Sequence, residues 1–467
     1  MTMIVPPDRK ERNPLITEAG YRNLLRIAES AHAPKWNYVV GDRVVKDDLV
    51  AVDRLRENLE TRRFPFAAKP PEPILEWVVA MREKVTAFRE RIGDGMDLVR
   101  DWTQIPTMSR EDLAARMVDV LPVDADLSRL IVYDTSGTTG HAINIPYHPR
   151  TMAQNHAFLE LALARHGVQP VFADDTTACF NVGGHQKTVV FPVVFSVWNQ
   201  AGFAKINFHP ADWSSPDAAQ KFFDELQPLF VTGEPLGFAE MLRWGICTNP
   251  AAIVSTAVTL DPALAMRLRE TYHCPVIDWF SLTETGPLAY SCTEGHGMHV
   301  MPHDVFIEIV DELGNLVEPG EVGEIVVTGG RNPYVPLLRY RTGDFAALDF
   351  SPCPCGDPMP RIVGFTGRGI VLFRSADGSV VNPVDIGREM RRFPFLQHTF
   401  LQRRDGSCEV RLRPAPNIAP NLDGIGKVIA DLFGDSTPVE LIVDPALHEK
   451  IERGKRFPYE SELTIDD

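Results

Sequence analysis

The amino-acid sequence predicts an α/β protein with two domains: a large N-terminal domain with layered α/β sheets and a β-rich subdomain, and a small α+β C-terminal domain. Three observations support this prediction. The middle of the chain alternates strand-like and helix-like runs, and strand-like runs dominate after Val305. The chain's 467 residues also exceed what one hydrophobic core usually organises. The predicted domains span residues 1–368 and 369–467.

The predicted elements follow from local patterns. Residues 1–105 are charged and carry helix-type apolar spacing. Strand-like runs then alternate with helical ones, at 228–233, 238–244, 252–255, 262–271 and 275–280. Strands that alternate with helices of about ten residues predict a largely parallel sheet, with binding loops at the carboxyl ends of its strands.

The β-rich part begins with strand-like runs at 305–310 and 324–328, and residues 311–315 have the composition of a hairpin turn between them. After Arg368, about 100 residues are enough for a separate small domain, which ends in a polar tail.

Composition limits the class of function. The net charge of −16 argues against general affinity for nucleic acid or anionic membranes. The apolar run at 189–198 is too short to cross a bilayer, and the N-terminus lacks the pattern of a signal peptide. Seven cysteines in a chain of this length do not suggest a disulfide scaffold. We therefore expect a cytoplasmic enzyme.

The run YDTSGTTG at 133–140 follows a β-branched stretch and predicts a strand that ends in a loop. Glycines let successive backbone N–H groups converge on an anion, and hydroxyls add donors for phosphate oxygens or a ligand for Mg²⁺. The run lacks the Gly-Lys-Ser/Thr ending of a Walker A loop. A Ser/Thr/Gly-rich surface turn is the alternative. The predicted phosphate-binding residues are Ser136, Gly137, Thr138, Thr139 and Gly140.

This loop is the first of several motifs that, in order, resemble those of the adenylate-forming enzymes, which include acyl- and aryl-CoA synthetases and peptide-synthetase adenylation domains. WFSLTE at 279–284 is similar to the family's aromatic-Gly-x-Thr-Glu motif, and YRTGD at 340–344 matches Tyr-x-Thr-Gly-Asp. Gly367-Arg368 lies where the family carries Gly-Arg before its domain hinge. Gly454-Lys455 resembles the Gly-Lys that supplies a catalytic lysine.

The resemblance implies a role for each motif in joining a carboxylate to the α-phosphate of ATP. Glu284 would coordinate Mg²⁺, and Thr283 would contact the α-phosphate. Asp344 and Arg368 would bind the ribose, and Lys455 would neutralise charge as the acyl-adenylate forms. Ser281, in place of the motif's glycine, is counted with the nucleotide-binding residues.

Each of these residues also has a structural reading. Asp344 could cap a turn, and Glu284 alone would be a surface carboxylate. Lys455 could be a solvated side chain, with Lys450 as a rival for its role.

Cys353-x-Cys355 and Cys292-x₆-His299 supply a Cys₃His ligand set that suits tetrahedral Zn²⁺. The alternative is three buried, reduced cysteines and an unrelated histidine, and His296 and His303 are competing ligands. The arrangement resembles the phenylacetate-CoA ligase branch of the superfamily, which implies a structural zinc away from the chemistry.

Four departures from the family pattern bear on function. His141 replaces a phosphate-loop lysine, and Ser281 replaces glycine. Residues 255–258 stand where the family has a Gly-Gly-Glu-like turn beside the adenine. Residues 369–371 (Gly-Ile-Val) replace the acidic hinge on which the family's C-terminal domain swings.

The acyl pocket is predicted near residues 180–186, with Gly184, His185 and Phe280 as substrate-binding residues. These side chains suggest a flat, partly polar pocket for an aromatic or heteroaromatic acid. A loop histidine that only satisfies local hydrogen bonds is the alternative reading of His185.

The sequence therefore predicts ATP-dependent activation of an aryl or arylacetic acid through an acyl-adenylate, followed by thioester formation with CoA. The expected ligands are the acid, ATP, Mg²⁺, CoA and a structural Zn²⁺, with no nucleic-acid or membrane partner; a homodimer is left open. One alternative passes the acyl group to an amine, a hydroxyl or a carrier-protein thiol. The other is a non-catalytic nucleotide- or ligand-binding relative.

Overall fold

The computed structural model describes residues 5–61, 69–134, 143–302, 304–366, 371–415, 417–447, 451–452, 455–456 and 458–463. The predicted features outside these ranges are the phosphate-loop residues Ser136 to Gly140, His141, Gly367, Arg368, residues 369–370 of the hinge, His303, Lys450 and Gly454. For Lys455 the description covers the backbone.

The N-terminal region is helical, as the sequence predicts. The helix before the phosphate loop, α6, begins with a capping box in which Ser109 Oγ accepts from the Asp112 backbone and the Asp112 carboxylate accepts from the Ser109 backbone. The helices of this region are α1 (Pro7–Arg12), α2 (Glu18–Ala28), α3 (Lys46–Thr61), α4 (Glu72–Lys84), α5 (Thr86–Arg91) and α6 (Arg110–Val120).

A long mixed sheet follows, flanked by helices and preceded by a short pair of strands. The strands are β1 (Ile131–Asp134), β2 (Asn144–Tyr147), β3 (Thr177–Gly183), β4 (Phe191–Phe195), β5 (Ala201–Asn207), β6 (Phe230–Gly233), β7 (Ile253–Ser255), β8 (Val276–Leu282), β9 (Gly286–Ser291), β10 (Met298–Val300), β11 (Val305–Val310), β12 (Gly323–Gly329), β13 (Leu337–Asp349) and β14 (Arg361–Thr366). The helices are α7 (Pro149–Arg165), α8 (Ala218–Leu226), α9 (Pro235–Arg243) and α10 (Pro262–Tyr272).

Within the described ranges, β1 and β2 pair with each other, and the other twelve strands form one sheet in the order β11-β12-β13-β14-β10-β9-β8-β7-β6-β3-β5-β4. The parallel arrangement predicted from the sequence is confirmed for β5, β3, β6, β7 and β8. The remaining neighbours pair antiparallel, because short connections such as the three residues between β8 and β9 can join only antiparallel strands.

Apolar clusters cover both faces of the parallel part of the sheet. One cluster centres on Phe180, Phe222 and Phe238, and the other on Phe158, Trp198 and Phe230. Strand β3 is buried along nearly its whole length. The strand ends are therefore held rigidly, which favours precise placement of the loops that follow them.

Two of the predicted boundaries differ from the structure by more than two residues. Helix α9 begins at Pro235 and not at residue 238, because proline is tolerated in the first turn of a helix. Residues 311–315 do form a tight turn, with the Asp311 backbone N–H donating to Asn315 O at 2.9 Å. The connection then continues to residue 322 before β12 begins.

The C-terminal part forms a smaller α+β domain with its own core, as predicted. Its elements are β15 (Phe373–Arg374), β16 (Val380–Val381), α11 (Pro383–Met390), β17 (Phe395–Gln402), β18 (Cys408–Pro414), α12 (Leu422–Phe433), β19 (Val439–Val443), β20 (Ile451–Glu452), β21 (Lys455–Arg456) and β22 (Tyr459–Ser461). Strands β19, β18, β17 and β22 form a sheet in that order, and Phe373, Phe400 and Phe433 pack in the core.

The boundary at residues 368 and 369 falls outside the described residues and stays a prediction. Among the helices of the described ranges, none combines the length and the apolar composition needed to cross a bilayer.

Candidate active site

Two of the predicted nucleotide motifs meet in the structure. Glu284 lies in the short connection between β8 and β9, and only 4% of its surface is exposed. Its Oε1 accepts a hydrogen bond from the hydroxyl of Tyr340, on β13, at 3.2 Å. Burial and the charge of Glu284 raise the pKa of that hydroxyl well above its usual value, so it stays protonated and donates. The Thr-Glu and Tyr-x-Thr-Gly-Asp motifs therefore lie side by side.

A third side chain, not predicted from the sequence, joins this pair. Arg110, the first residue of α6, donates from Nη1 to Glu284 Oε1 at 2.9 Å. The two residues are 174 positions apart, so no spacing pattern could have connected them. The capping box at Ser109 and Asp112 is a sequence signal for the start of this helix, but it does not indicate what the helix contacts.

Asp344 is buried in β13, at a point where the pairing of β13 with β12 shifts register. Gly343 has a φ of +73°, a conformation that favours glycine, and its N–H donates to Glu324 Oε1 at 3.0 Å. The N–H of Asp344 donates to Thr342 Oγ1 at 3.1 Å, and that hydroxyl donates to Ile325 O at 2.8 Å. These contacts define the backbone of β13 around Asp344, and the role of its carboxylate toward a ribose stays a prediction.

The loop after β3 carries Gly184 and His185. His185 Nε2 lies 2.8 Å from Glu234 Oε1, and Nδ1 lies 3.5 Å from Asp385 Oδ2, which belongs to the C-terminal domain. Burial alone would lower the pKa of His185, but the charges of Glu234 and Asp385 outweigh burial and raise it to about 10. His185 is therefore protonated at neutral pH.

The same loop contacts the C-terminal domain through its backbone and through neighbouring side chains. Gln186 N–H donates to Asp385 Oδ2 at 2.8 Å, and Asn382 Nδ2 donates to Glu234 Oε1 at 3.0 Å. Gly184 lies so close to α9 that an added Cβ would meet the carbonyl oxygen of Leu236 at 3.1 Å. The predicted acyl-pocket loop is thus also part of a domain contact.

Phe280 and Ser281 lie on a different part of the sheet. Phe280 is buried on β8 and packs against Phe365, with ring centroids 4.7 Å apart. Ser281 Oγ lies 3.4 Å from Thr256 Oγ1. Because β7 and β6 separate β8 from β3, about 14 Å of sheet lies between Phe280 and the His185 loop. The structure joins Gly184 and His185, and it does not join them to Phe280 by any described contact.

Asp278, on β8, is a second residue that the sequence reasoning missed. Burial raises the pKa of its carboxyl to about 6, against hydrogen bonds from the backbone of Leu260 and Trp279 that lower it. It pairs in register with Ser255, beside the turn predicted to face the adenine. The signal in the sequence is a charged residue inside an otherwise apolar strand, which is costly unless it has a partner.

The four predicted zinc ligands come together. One ligand atom from each of Cys292, His299, Cys353 and Cys355 lies within 4.8 Å of all the others. Cys292 Sγ is 3.6 Å from Cys353 Sγ, and His299 Nε2 is 3.2 Å from Cys355 Sγ. The competing ligand His296 is exposed and not part of this cluster.

Surrounding groups orient these ligands. His299 Nδ1 lies 3.0 Å from Met359 O, so that the Nε2 atom faces the sulfurs. Backbone N–H groups of Glu294 and Asp357 donate to Cys292 Sγ and Cys355 Sγ, each at 3.4 Å. The cluster joins the β9–β10 turn to the segment before β14, at the end of β9 opposite Glu284.

The remaining predicted residues are placed only in part. The backbone of Lys455 pairs with Glu452 in the β20–β21 hairpin. Thr283, next to Glu284, is half-buried. The phosphate-loop residues and Arg368 lie outside the described residues, so their predicted roles stay predictions.

Comparisons with known proteins identify the family to which this chain belongs. A model of the AMP-binding enzyme family matches residues 104–332. The phenylacetate-coenzyme A ligase of Thermus thermophilus is 32% identical over 350 residues, which cover 70% of this chain and 75% of that enzyme. This chain belongs to the adenylate-forming, AMP-binding enzyme family.

Other relatives of this adenylate-forming enzyme are more distant. Protein CapK of Staphylococcus aureus is 24% identical over 306 residues, 63% of this chain, and the match spans 64% of that relative, a little under two thirds. A solved structure of 2-hydroxyisobutyryl-CoA ligase, in complex with 2-HIB-AMP and CoA, aligns with a TM-score of 0.57 at 17% identity. The alignment covers 92% of this chain and 97% of that one. At that identity the alignment supports the fold alone.

Proposed function

We propose that this protein activates an aromatic carboxylic acid with ATP and then transfers the acyl group to CoA. The observation that carries the proposal is the hydrogen bond between Tyr340 and Glu284, because it joins the two motifs that the family uses for nucleotide and metal. The family membership and the phenylacetate-coenzyme A ligase relative support the same reaction class.

The reaction would proceed in two steps. In the first, a carboxylate oxygen of the acid attacks the α-phosphorus of ATP, the bond to the bridging oxygen breaks, and pyrophosphate leaves. In the second, the CoA thiol attacks the acyl carbon, its proton is lost to solvent, and AMP leaves. Both steps develop negative charge on phosphate oxygens, so the site must supply cations and hydrogen-bond donors.

Residues of this chain fit that requirement. Glu284 is a buried carboxylate between two donors, and carboxylates are the ligands through which proteins usually hold Mg²⁺ beside substrate phosphates. Bound there, the metal would neutralise charge on the phosphates. Asp344 would accept hydrogen bonds from the ribose, Ser136 to Gly140 would bind the β- and γ-phosphates, and Lys455 would lie at the reacting carboxylate.

The Cys₃His cluster fits a structural zinc ion. For tetrahedral zinc with Zn–S bonds of about 2.3 Å, neighbouring sulfurs lie about 3.8 Å apart. The 3.6 Å between Cys292 Sγ and Cys353 Sγ is close to that value. Four protein ligands would close the coordination shell to water, and the N–H donors to two of the sulfurs would stabilise thiolates. We therefore propose a structural and not a catalytic role.

The test is pyrophosphate release from ATP and Mg²⁺ over a panel of benzoic, arylacetic and heteroaromatic acids, with and without CoA. We expect release that depends on the acid and increases with CoA, together with a thioester detected by mass spectrometry. Release without a thioester would favour an amine, a hydroxyl or a carrier-protein thiol as the acceptor. No release with any acid would contradict the proposal and favour a non-catalytic relative.

A further inference from the structure

Among the described residues, both donors to the Glu284 carboxylate use the same oxygen. Arg110 Nη1 and the Tyr340 hydroxyl both donate to Oε1, at 2.9 Å and 3.2 Å. In the part of the chain that the structure describes, no donor forms a hydrogen bond to Oε2. An arginine can engage both oxygens of a carboxylate at once, which would occupy the group completely. Here the geometry leaves Oε2 available.

Arg110 is placed firmly enough to orient its partner. It is the first residue of α6, and the capping box of Ser109 and Asp112 defines where that helix begins. Asp112 is also paired with Arg91, at 3.0 Å, which ties the same turn to α5. The side chain of Arg110 is 26% exposed and that of Glu284 is 5% exposed, so the pair lies at the edge of solvent with its carboxylate inside.

Arg110 also balances the negative charge of the Glu284 carboxylate. A buried carboxylate without a countercharge is costly, and Arg110 supplies that countercharge before any ligand binds. A magnesium nucleotide is itself anionic, so a carboxylate alone would repel it. With Arg110 beside Glu284, the pair is neutral overall and still offers one oxygen to a metal.

We propose that Arg110 is a positioning residue for Glu284: with Tyr340 it holds Oε1 and directs Oε2 toward the divalent cation of the bound nucleotide. This inference rests on the proposed function, since it presumes that magnesium–ATP binds at Glu284. It extends that function by assigning a role to a residue that lies outside the motifs used to predict the site.

The test compares Arg110→Ala and Arg110→Lys with a matched control on the same helix. Arg116→Ala is the control, because Arg116 also forms two ion pairs, with Glu90 at 2.9 Å and Asp119 at 2.6 Å, but its side chain is exposed and neither partner is Glu284. ATP affinity is measured by calorimetry with excess Mg²⁺ and again in EDTA.

We expect Arg110→Ala to weaken binding of magnesium–ATP by about 10- to 100-fold, the usual cost of removing a group that orients a metal ligand. Binding in EDTA should change much less. Arg110→Lys keeps one charged donor and should recover most of the affinity, and Arg116→Ala should match the wild type. Equal loss in Mg²⁺ and in EDTA would contradict a role directed at the metal ligand.

A crystallographic comparison without nucleotide keeps this inference separate from the proposed function. In Arg110→Ala the Glu284 carboxylate should leave its observed position, and in Arg110→Lys it should stay. A carboxylate that keeps its position in the alanine variant would overturn the inference, whether or not ATP binds. If wild-type protein binds no ATP, the proposed function fails while this structural comparison still decides the positioning role. If Arg110→Ala does not fold, Tyr340→Phe tests the other donor to Oε1 in the same way.

Discussion

Two of the buried carboxylate clusters in the described part of the chain differ in whether the C-terminal domain contributes to them. At Glu284, the guanidinium of Arg110 and the hydroxyl of Tyr340 both precede the C-terminal domain in the chain, and both donate to the same carboxylate oxygen. At His185, the two ring nitrogens face two carboxylates: Glu234, which precedes the C-terminal domain, and Asp385, which belongs to it. Among the described residues, no donor reaches the second oxygen of Glu284, whereas the His185 cluster bridges two domains.

Of these two clusters, the His185 cluster is the one whose described contacts depend on the position of the C-terminal domain. The Glu284 cluster keeps its contacts wherever the C-terminal domain lies, because none of its described partners belongs to that domain. The His185 cluster keeps the Asp385 contact only while the C-terminal domain rests against the loop after β3. Arg374, which pairs with Glu240 of α9 at 3.2 Å, belongs to the same domain contact.

The largest expected effect is on pyrophosphate exchange, when one glutamate of each cluster is changed to glutamine. Glu284→Gln removes a metal-binding charge at constant size, and we expect acid-dependent pyrophosphate exchange to fall by about 10²- to 10³-fold. Glu234→Gln should reduce exchange far less, because His185 keeps Asp385 as a partner. Exchange rates measured at saturating ATP and Mg²⁺ check this. Equal losses would show that the two clusters do not differ in the way described.

Loss of the Cys₃His cluster should increase hydrogen exchange in strands β9, β10 and β14 more than in the loop that carries His185. Cys353→Ser should reduce bound zinc, measured by metal analysis, from about one ion per chain to near zero, and lower the thermal midpoint. Because the cluster anchors β9, β10 and β14, hydrogen exchange should rise in those strands more than in the loop at 183–187. Cys247→Ser, at an exposed cysteine, is the control. Full zinc content in Cys353→Ser would contradict the assigned ligand set.

Breaking the domain contact should have an intermediate effect on stability and little effect on nucleotide affinity. Asp385→Asn removes the charge that faces His185 and weakens the acceptor for Gln186, at an expected cost of about 1–3 kcal/mol to docking. Hydrogen exchange should increase in residues 183–190 and 378–388. Asp431→Asn, at an exposed position on α12, is the control. Unchanged exchange in both segments would show that Asp385 does not hold the domains together.

The last expected effect is on the pH dependence of stability. In the folded protein the pKa of His185 is raised to about 10, above its ordinary value of 6.5. Its contribution to the free energy of unfolding is therefore complete below about pH 6.5 and is lost as the pH rises through about 10. The charged groups that face it are Glu234 and Asp385, and Arg388 lies 3.3 Å from Asp385.

Denaturant unfolding of the wild type and of His185→Gln, between pH 7 and pH 10.5, checks this. We expect the difference in unfolding free energy between the two proteins to shrink as the pH increases. A difference that is constant over this range, or that grows, would show that His185 does not carry the charge assigned to it.

Sequence reasoning was most successful where ligands or motifs are short and chemically specific. The four zinc-type ligands were identified from spacing and residue type, and the structure brings their ligand atoms within 4.8 Å of one another. The roles assigned to the Thr-Glu and Tyr-x-Thr-Gly-Asp motifs stay predictions, and nothing in either motif indicates that Tyr340 donates to Glu284. The two residues are 56 positions apart, and their contact depends on the order of the strands in the sheet.

By itself, the sequence determined the fold class, the alternation of strands and helices in the middle of the chain, and the residue types available for catalysis. These follow from local periodicity, from proline and glycine positions, and from motif chemistry. Only the tertiary structure decided that Arg110 faces Glu284 and that Asp385 faces His185. Such pairs join residues 174 or about 200 positions apart, and their meeting is fixed by sheet order and domain docking and not by any local preference of the chain.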